Sequence, residues 1–161
     1  MILILHKNIP ETLMKKITFA LAAIIIMQTL FISCKKNDPI SDDEKMEAQK
    51  IAIGWLNMMD EERYSDAFDD SARFFKYIMT REDWINTVGT MRKSFGKVTE
   101  RSLYSIEFTR ELPGLPEGNY LVIKYKTYFG KKKLMEIVAP LREKDGVWRI
   151  SGYHVQGFNI F

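Results

Sequence analysis

The sequence predicts an α+β domain whose N-terminal helices pack on a curled, four-stranded antiparallel sheet. Two observations predict it, and a third says what holds it together. Apolar residues recur at helical spacing as far as Gly96 and alternate with polar ones beyond it. Turn residues separate the alternating runs at meander spacing. The one cysteine of the chain, Cys34, excludes an intrachain disulfide, so the domain must be held by packing.

The first helix starts at Ser41-Asp42-Asp43-Glu44, where the serine suits the N-cap and Glu44 the acid of a capping box. Ala48, Ala52, Trp55, Leu56 and Met59 then form one apolar stripe, which Asp60-Glu61-Glu62-Arg63 ends. Tyr64, Ala67 and Phe68 suggest a second, short helix, and Phe74, Phe75, Tyr77 and Ile78 an aromatic cluster to be buried. A further helix starts at Thr80, with Trp84, Val88, Met91 and Phe95 on one face and Gly96 as its stop.

Four alternating runs follow: Tyr104, Ile106, Phe108; Leu121 to Phe129; Met135, Ile137, Ala139, Leu141; and Trp148, Ile150, Gly152, His154. Each reads as a strand with one apolar face. Pro113-Gly114 suits the centre of a type II turn, and Leu115 to Gly118 a type I turn. Asp145-Gly146 signals a hairpin that sets Leu141 opposite Ile150 and Ala139 opposite Gly152. The hairpin at Gly130 is open. A two-residue loop puts Glu136 opposite Tyr125 on the apolar face; a three-residue loop puts Ile137 there. Helices followed by such a sheet are the order of the cone-shaped nuclear-transport-factor-2-like fold, which periodicity alone does not single out.

The N-terminal segment speaks to address. Met14-Lys15-Lys16 is a basic start, Ile17 to Phe31 an apolar core, and Phe31-Ile32-Ser33-Cys34 resembles a lipobox with phenylalanine in place of the usual leucine. A transmembrane anchor needs about 20 apolar residues, and this run is shorter. The expected organisation is an upstream start artefact over 1–13, a bacterial lipoprotein signal peptide over 14–33, a lipidated Cys34 with tether over 34–42, and one domain over 43–161. That places the protein in the cell envelope, on the periplasmic face or the cell surface, held to the membrane through the lipid on Cys34.

The formal charge of +3 comes mostly from the leader. Residues 1–34 hold Lys7, Lys15 and Lys16 against Glu11, which leaves 21 basic and 20 acidic groups beyond them. That balance carries no nucleic-acid footprint. Beyond the leader, one histidine, His154, and no spare cysteine leave only oxygen ligands, so neither a metal site nor a cofactor is expected.

The inner sheet face presents Tyr104, Tyr125, Trp148 and His154, with Glu136 added by the shorter loop. These are the candidate ligand contacts. Trp55, Trp84 and Trp148 sit on stripes that must be buried in any case. His154 is either a base or a hydrogen-bonded side chain at the end of the last strand. Asp60 and Asp83 are the acids the helices could supply, and Asp83 is better explained by its helix N-terminus. Arg101, Lys124, Lys126, Arg149 and Glu136 could share the other face as solvated ion pairs. Gly130-Lys131-Lys132-Lys133 is a basic tip that could touch anionic headgroups.

An ordered set of residues resembles a family of small bacterial exported proteins, domain of unknown function 4019. The set is Trp55 and Asp60; Trp84, Arg92 and Phe95-Gly96; Arg101; Leu112-Pro113-Gly114, Pro116-Glu117-Gly118 and Tyr120; Phe129 and Glu136; Asp145 to Arg149; and Ser151-Gly152-Tyr153. It covers most of residues 48–154. The resemblance implies the cone-like fold and almost nothing about activity. The expected function is a non-catalytic envelope domain that binds a small apolar ligand or an envelope partner protein. The alternative is an isomerase- or hydrolase-type enzyme with His154 or Glu136 as base.

Cys34→Ser should yield an unprocessed or soluble chain, because the cysteine sulfur is the attachment point. Mass spectrometry of the mature N-terminus checks it: acyl groups on Cys34 are expected, and an intact leader without them would refute the anchor.

Overall fold

The computed structural model describes residues 40–157, and the leader and Cys34 lie outside them. Four helices precede four strands: α1 (Asp42–Asp60), α2 (Tyr64–Asp69), α3 (Arg73–Ile78), α4 (Arg81–Phe95), β1 (Val98–Thr109), β2 (Asn119–Phe129), β3 (Lys132–Arg142) and β4 (Trp148–Gly157). The strands form one antiparallel meander in the order β1-β2-β3-β4, curled against the helices. This is the α+β arrangement expected from the periodicity.

Helix α1 starts as its sequence dictates. Glu44 N–H donates to Ser41 Oγ at 3.3 Å, and Ser41 N–H returns a bond to Glu44 Oε2 at 2.9 Å, a complete capping box. The predicted stripe of Ala48, Ala52, Trp55, Leu56 and Met59 is its buried face. Helix α4 is capped by Thr80, whose Oγ1 accepts from Asp83 N–H at 3.1 Å, and it stops at Gly96 with φ +88. Its buried line runs Trp84, Val88, Arg92, four residues apart, while Met91 and Phe95 are half-buried.

The aromatic cluster is not buried as expected. Residues 73–78 form helix α3, and a helix of this length packs through one side only. Phe75 takes that side, leaving Tyr77 86% and Ile78 55% exposed.

The core lies between the helices and the concave sheet face. Trp55 and Trp84 stand 5.8 Å apart, with Tyr153 at 5.3 Å and 6.4 Å from them and Phe75 edge-on to Trp84 at 5.1 Å. Trp55 Nε1 donates to Ala67 O at 2.7 Å and Trp84 Nε1 to Tyr64 O at 3.0 Å, so both indoles satisfy their polar atom on α2.

Turn chemistry decides which side chains face this core. Leu115 N–H reaches Leu112 O at 3.0 Å around Pro113-Gly114, and Gly114 has φ +77, as a type II turn requires. The β2–β3 hairpin has the two-residue loop Gly130-Lys131, which pairs Phe129 with Lys132 and Tyr125 with Glu136. Glu136 and Val138 therefore point inward. Met135, Ile137, Ala139 and Leu141, expected on the inner face, lie on the outer one.

The β3–β4 hairpin also departs from expectation. Gly146 N–H bonds to Glu143 O at 2.9 Å with φ +81 at Gly146, a three-residue loop closed by glycine. Leu141 thus pairs with Arg149 rather than Ile150. A bulge then restores the predicted pairing of Ala139 with Gly152. The bulge falls at Pro140, which has no N–H to give the ladder, and Ser151 Oγ donates to Ala139 O at 2.7 Å there. It turns the end of β4 over: Tyr153 enters the core and His154 goes outside. A second bulge in β1, between Leu103 and Ser105, turns Tyr104 out to 62% exposure and aligns Arg101 with inward Thr127. Nothing in the residues around Tyr104 explains that bulge.

Trp84→Ala should cost about 3–5 kcal/mol in chemical denaturation, the usual range for truncating a buried large aromatic. A loss under about 1 kcal/mol would mean that α4 does not anchor the core.

Candidate functional site

The candidate ligand contacts do not converge. Tyr125 and Trp148 are buried in the core, each 2% exposed, whereas Tyr104 and His154 face solvent. Among the described residues Tyr125 Oη and Trp148 Nε1 have no hydrogen-bond partner, and burial pushes the Tyr125 phenol up to about 12. Glu136 has no exposed surface at all. The expected outer-face grouping is therefore corrected for two members: Glu136 and Arg101 lie inside. The two-residue loop brings in the first, and the β1 bulge aligns the second.

Around Glu136 the fold assembles a network that the sequence shows only in pieces. Oε1 accepts from Arg92 Nη1 at 3.1 Å and from Tyr153 Oη at 2.7 Å. Oε2 accepts from Arg101 Nε at 2.6 Å and from Thr127 Oγ1 at 2.9 Å. Asp60, at the end of α1, completes the set. It accepts from Arg101 Nη1 at 2.8 Å and Nη2 at 3.0 Å, and it also pairs with Arg92 Nη2. Two guanidinium and two carboxylate groups balance. The Arg92 guanidinium lies 5.0 Å over the Phe129 ring as well.

The electrostatics follow from this packing. Burial opposes both guanidinium charges, but Tyr153, Asp60 and Glu136 around Arg92, and Asp60 and Glu136 around Arg101, hold both above the ordinary arginine value. Burial, then the Glu136 carboxylate, raises the Tyr153 phenol well above its usual value. Tyr153 stays protonated and donates. Each Glu136 oxygen already accepts two hydrogen bonds, which fills its lone pairs. In this arrangement no Glu136 lone pair is left for a further hydrogen bond.

Asp60, with its side chain 26% exposed, reaches solvent in a cleft of about 460 Å³ with Tyr64, Arg92 and Lys93 on its walls. A larger groove of about 980 Å³ lies at the other end of the domain, between the start of α3 and the ends of β1 and β3. Phe74 and Leu141 line it, with Arg73, Arg110, Arg142 and Lys144 around them. Among the described residues no cluster of three or more histidine, cysteine, aspartate or glutamate side chains is placed to hold a metal, and no helix is long and apolar enough to cross a membrane.

Two members of the network were within reach of sequence patterns. Arg92 follows Trp84 and Val88 at four-residue steps, so helical spacing alone puts it on the buried face. Pro140 within a strand is the signal for the bulge that brings Tyr153 inside.

A family model described as "Protein of unknown function (DUF4019)" matches residues 51–153. No curated protein and no solved structure was found to match the chain. The matched span holds Asp60, Arg92, Arg101, Glu136 and Tyr153, and so the whole network.

Arg92→Met should cost about 3–5 kcal/mol, because it leaves Glu136 short of a counter-charge in the interior. The double variant Arg92→Met with Glu136→Leu keeps the Arg101–Asp60 pair balanced and should recover most of that loss. Urea denaturation of both variants checks it; a double variant no better than the single one would mean that charge balance is not what the network supplies.

Proposed function

We propose that this chain, which belongs to the DUF4019 family of proteins of unknown function, is a lipid-anchored envelope protein whose domain binds a partner and catalyses nothing. The observation that carries this reading is the saturation of Glu136. Glu136, the one fully buried acid among the described residues, accepts four hydrogen bonds, two from arginines. His154, the other candidate base, is exposed on the far face of β4. The two residues cannot act on one bound molecule, and Tyr153 holds its proton far above neutrality. The interior is filled by Trp55, Trp84, Trp148 and Tyr153, which argues against an apolar ligand inside and for contact at the surface. Helices before a curled antiparallel meander support the cone-shaped nuclear-transport-factor-2-like fold as the scaffold. The lipobox-like Phe31 to Cys34 supports the anchor.

Glu136→Gln and His154→Gln test the absence of catalysis. His154→Gln should change stability by no more than about 0.5 kcal/mol, as surface substitutions do. Glu136→Gln should lower stability and leave any hydrolysis of activated esters at the wild-type background. A folded Glu136→Gln or His154→Gln protein whose turnover falls about a hundredfold while substrate binding persists would establish the enzyme reading instead.

A further inference from the structure

We infer that the groove between α3 and the strand ends docks the domain on anionic lipid headgroups of the bilayer that carries it. This inference rests on the lipid anchor proposed above. The groove's charges do not cancel. Its acids Glu143 and Asp145 are both held by Arg149, at 2.7 Å and 2.9 Å, and Arg142 is taken by Glu44 in the first turn of α1. Arg73, Arg110 and Lys144 are exposed and make no ion pair among the described residues, against Glu117, which makes none either, and the one negative charge of the Glu143 and Asp145 couple that Arg149 leaves over. Arg73 acts on Asp145 only at longer range. With Glu44 and Arg149 counted beside the lining, five cations face four acids, a surplus of one positive charge.

Apolar side chains stand beside these cations. Phe74, Tyr77 and Ile78 fall at i, i+3 and i+4 and share one face of α3, with Tyr77 86% and Ile78 55% exposed. Val147, 43% exposed, projects from the β3–β4 hairpin that carries Lys144 and Asp145. A small soluble anion would need only the charges. An aromatic and aliphatic face next to arginine and lysine is the composition of a membrane-interface surface.

Chain length selects this surface over the lysine tip of the β2–β3 hairpin. The domain begins at Ile40, beside the groove, because Glu44 pairs with the groove residue Arg142. Five residues, Lys35 to Pro39, separate Ile40 from Cys34, a reach of about 20 Å at full extension. Helix α1 then runs 19 residues, about 28 Å, to Asp60 and Arg101 at the opposite end. There Gly130 N–H bonds to Lys97 O, so the Lys131-Lys132-Lys133 tip lies at that far end.

The test uses the full-length chain purified from a lipoprotein-processing host. Flotation and hydrogen exchange are measured with vesicles of phosphatidylcholine alone and with phosphatidylglycerol added. Amides of α3 and of residues 143–147 should exchange more slowly on the anionic vesicles, and the difference should vanish at high salt. Arg73→Gln, Arg110→Gln and Lys144→Gln together should weaken the effect about a hundredfold, at roughly fivefold per cation. Lys131→Gln, Lys132→Gln and Lys133→Gln together should leave it. Equal exchange on both vesicles, or loss through the tip variant instead, would overturn the inference. So would equal protection of the same amides by glycerol phosphate in solution, which would make the groove a soluble-anion site. Failure of the anchor reads separately. A chain that does not float with phosphatidylcholine has no anchor. Flotation of such a chain with anionic vesicles alone, lost in the groove variant, would still support the groove, and flotation with neither would refute it.

Discussion

A carboxylate with no exposed surface has to be neutralised where it lies, and the fold is organised around doing this for Glu136. Its partners come from one helix and all three other strands: Arg92 from α4, Arg101 from β1, Thr127 from β2 and Tyr153 from β4. Asp60 at the end of α1 ties the two arginines together. A one-residue slip of β3 would turn Glu136 out and leave two guanidinium groups facing the core with one shared acid. Buried ion pairs add little net stability against apolar packing, but losing one partner costs several kcal/mol. The network therefore penalises wrong registers more than it stabilises the right one.

The same constraint occupies the interior, as the proposed non-catalytic reading requires. A general base needs a free lone pair and a neighbouring space. Glu136 has neither, since four donors occupy it and Trp55, Trp84 and Tyr153 fill the space towards the helices. The two ends of the domain differ in charge balance. At one end Asp60 answers the arginines beside it. At the other, acids and cations are paired off unevenly, and the exposed side chains of α3 add apolar surface.

Much of the fold was legible in local patterns. Ser41 and Glu44, Thr80 and Asp83, and the stripes on α1 and α4 act within a few residues of themselves, so spacing and capping chemistry specify them. Pro113-Gly114 specifies its turn for the same reason. The facing of the strands was less legible. An alternation reads correctly only until a bulge intervenes; the Leu103/Ser105 bulge of β1 inverts what precedes it and the Pro140 bulge inverts the end of β4. Tyr104 and His154 were placed inside by unbroken alternation and stand outside because of those bulges. Buried α3 aromatics were likewise an inference from composition, which cannot say which side of a short helix meets the core.

The sequence by itself determined the helix-then-sheet order, the helix ends, most of the aromatic core and the family pattern, because each depends on neighbours a few positions apart. It also left Glu136 as one of two open alternatives. Only the tertiary structure decided that Glu136 lies inside, that Arg101 and Arg92 meet it there, and that His154 does not. Those outcomes turn on loop lengths and bulges that shift a strand by one residue, and on partners 35 to 61 positions apart. A buried carboxylate needs counter-charges from distant elements, and no local pattern carries that information.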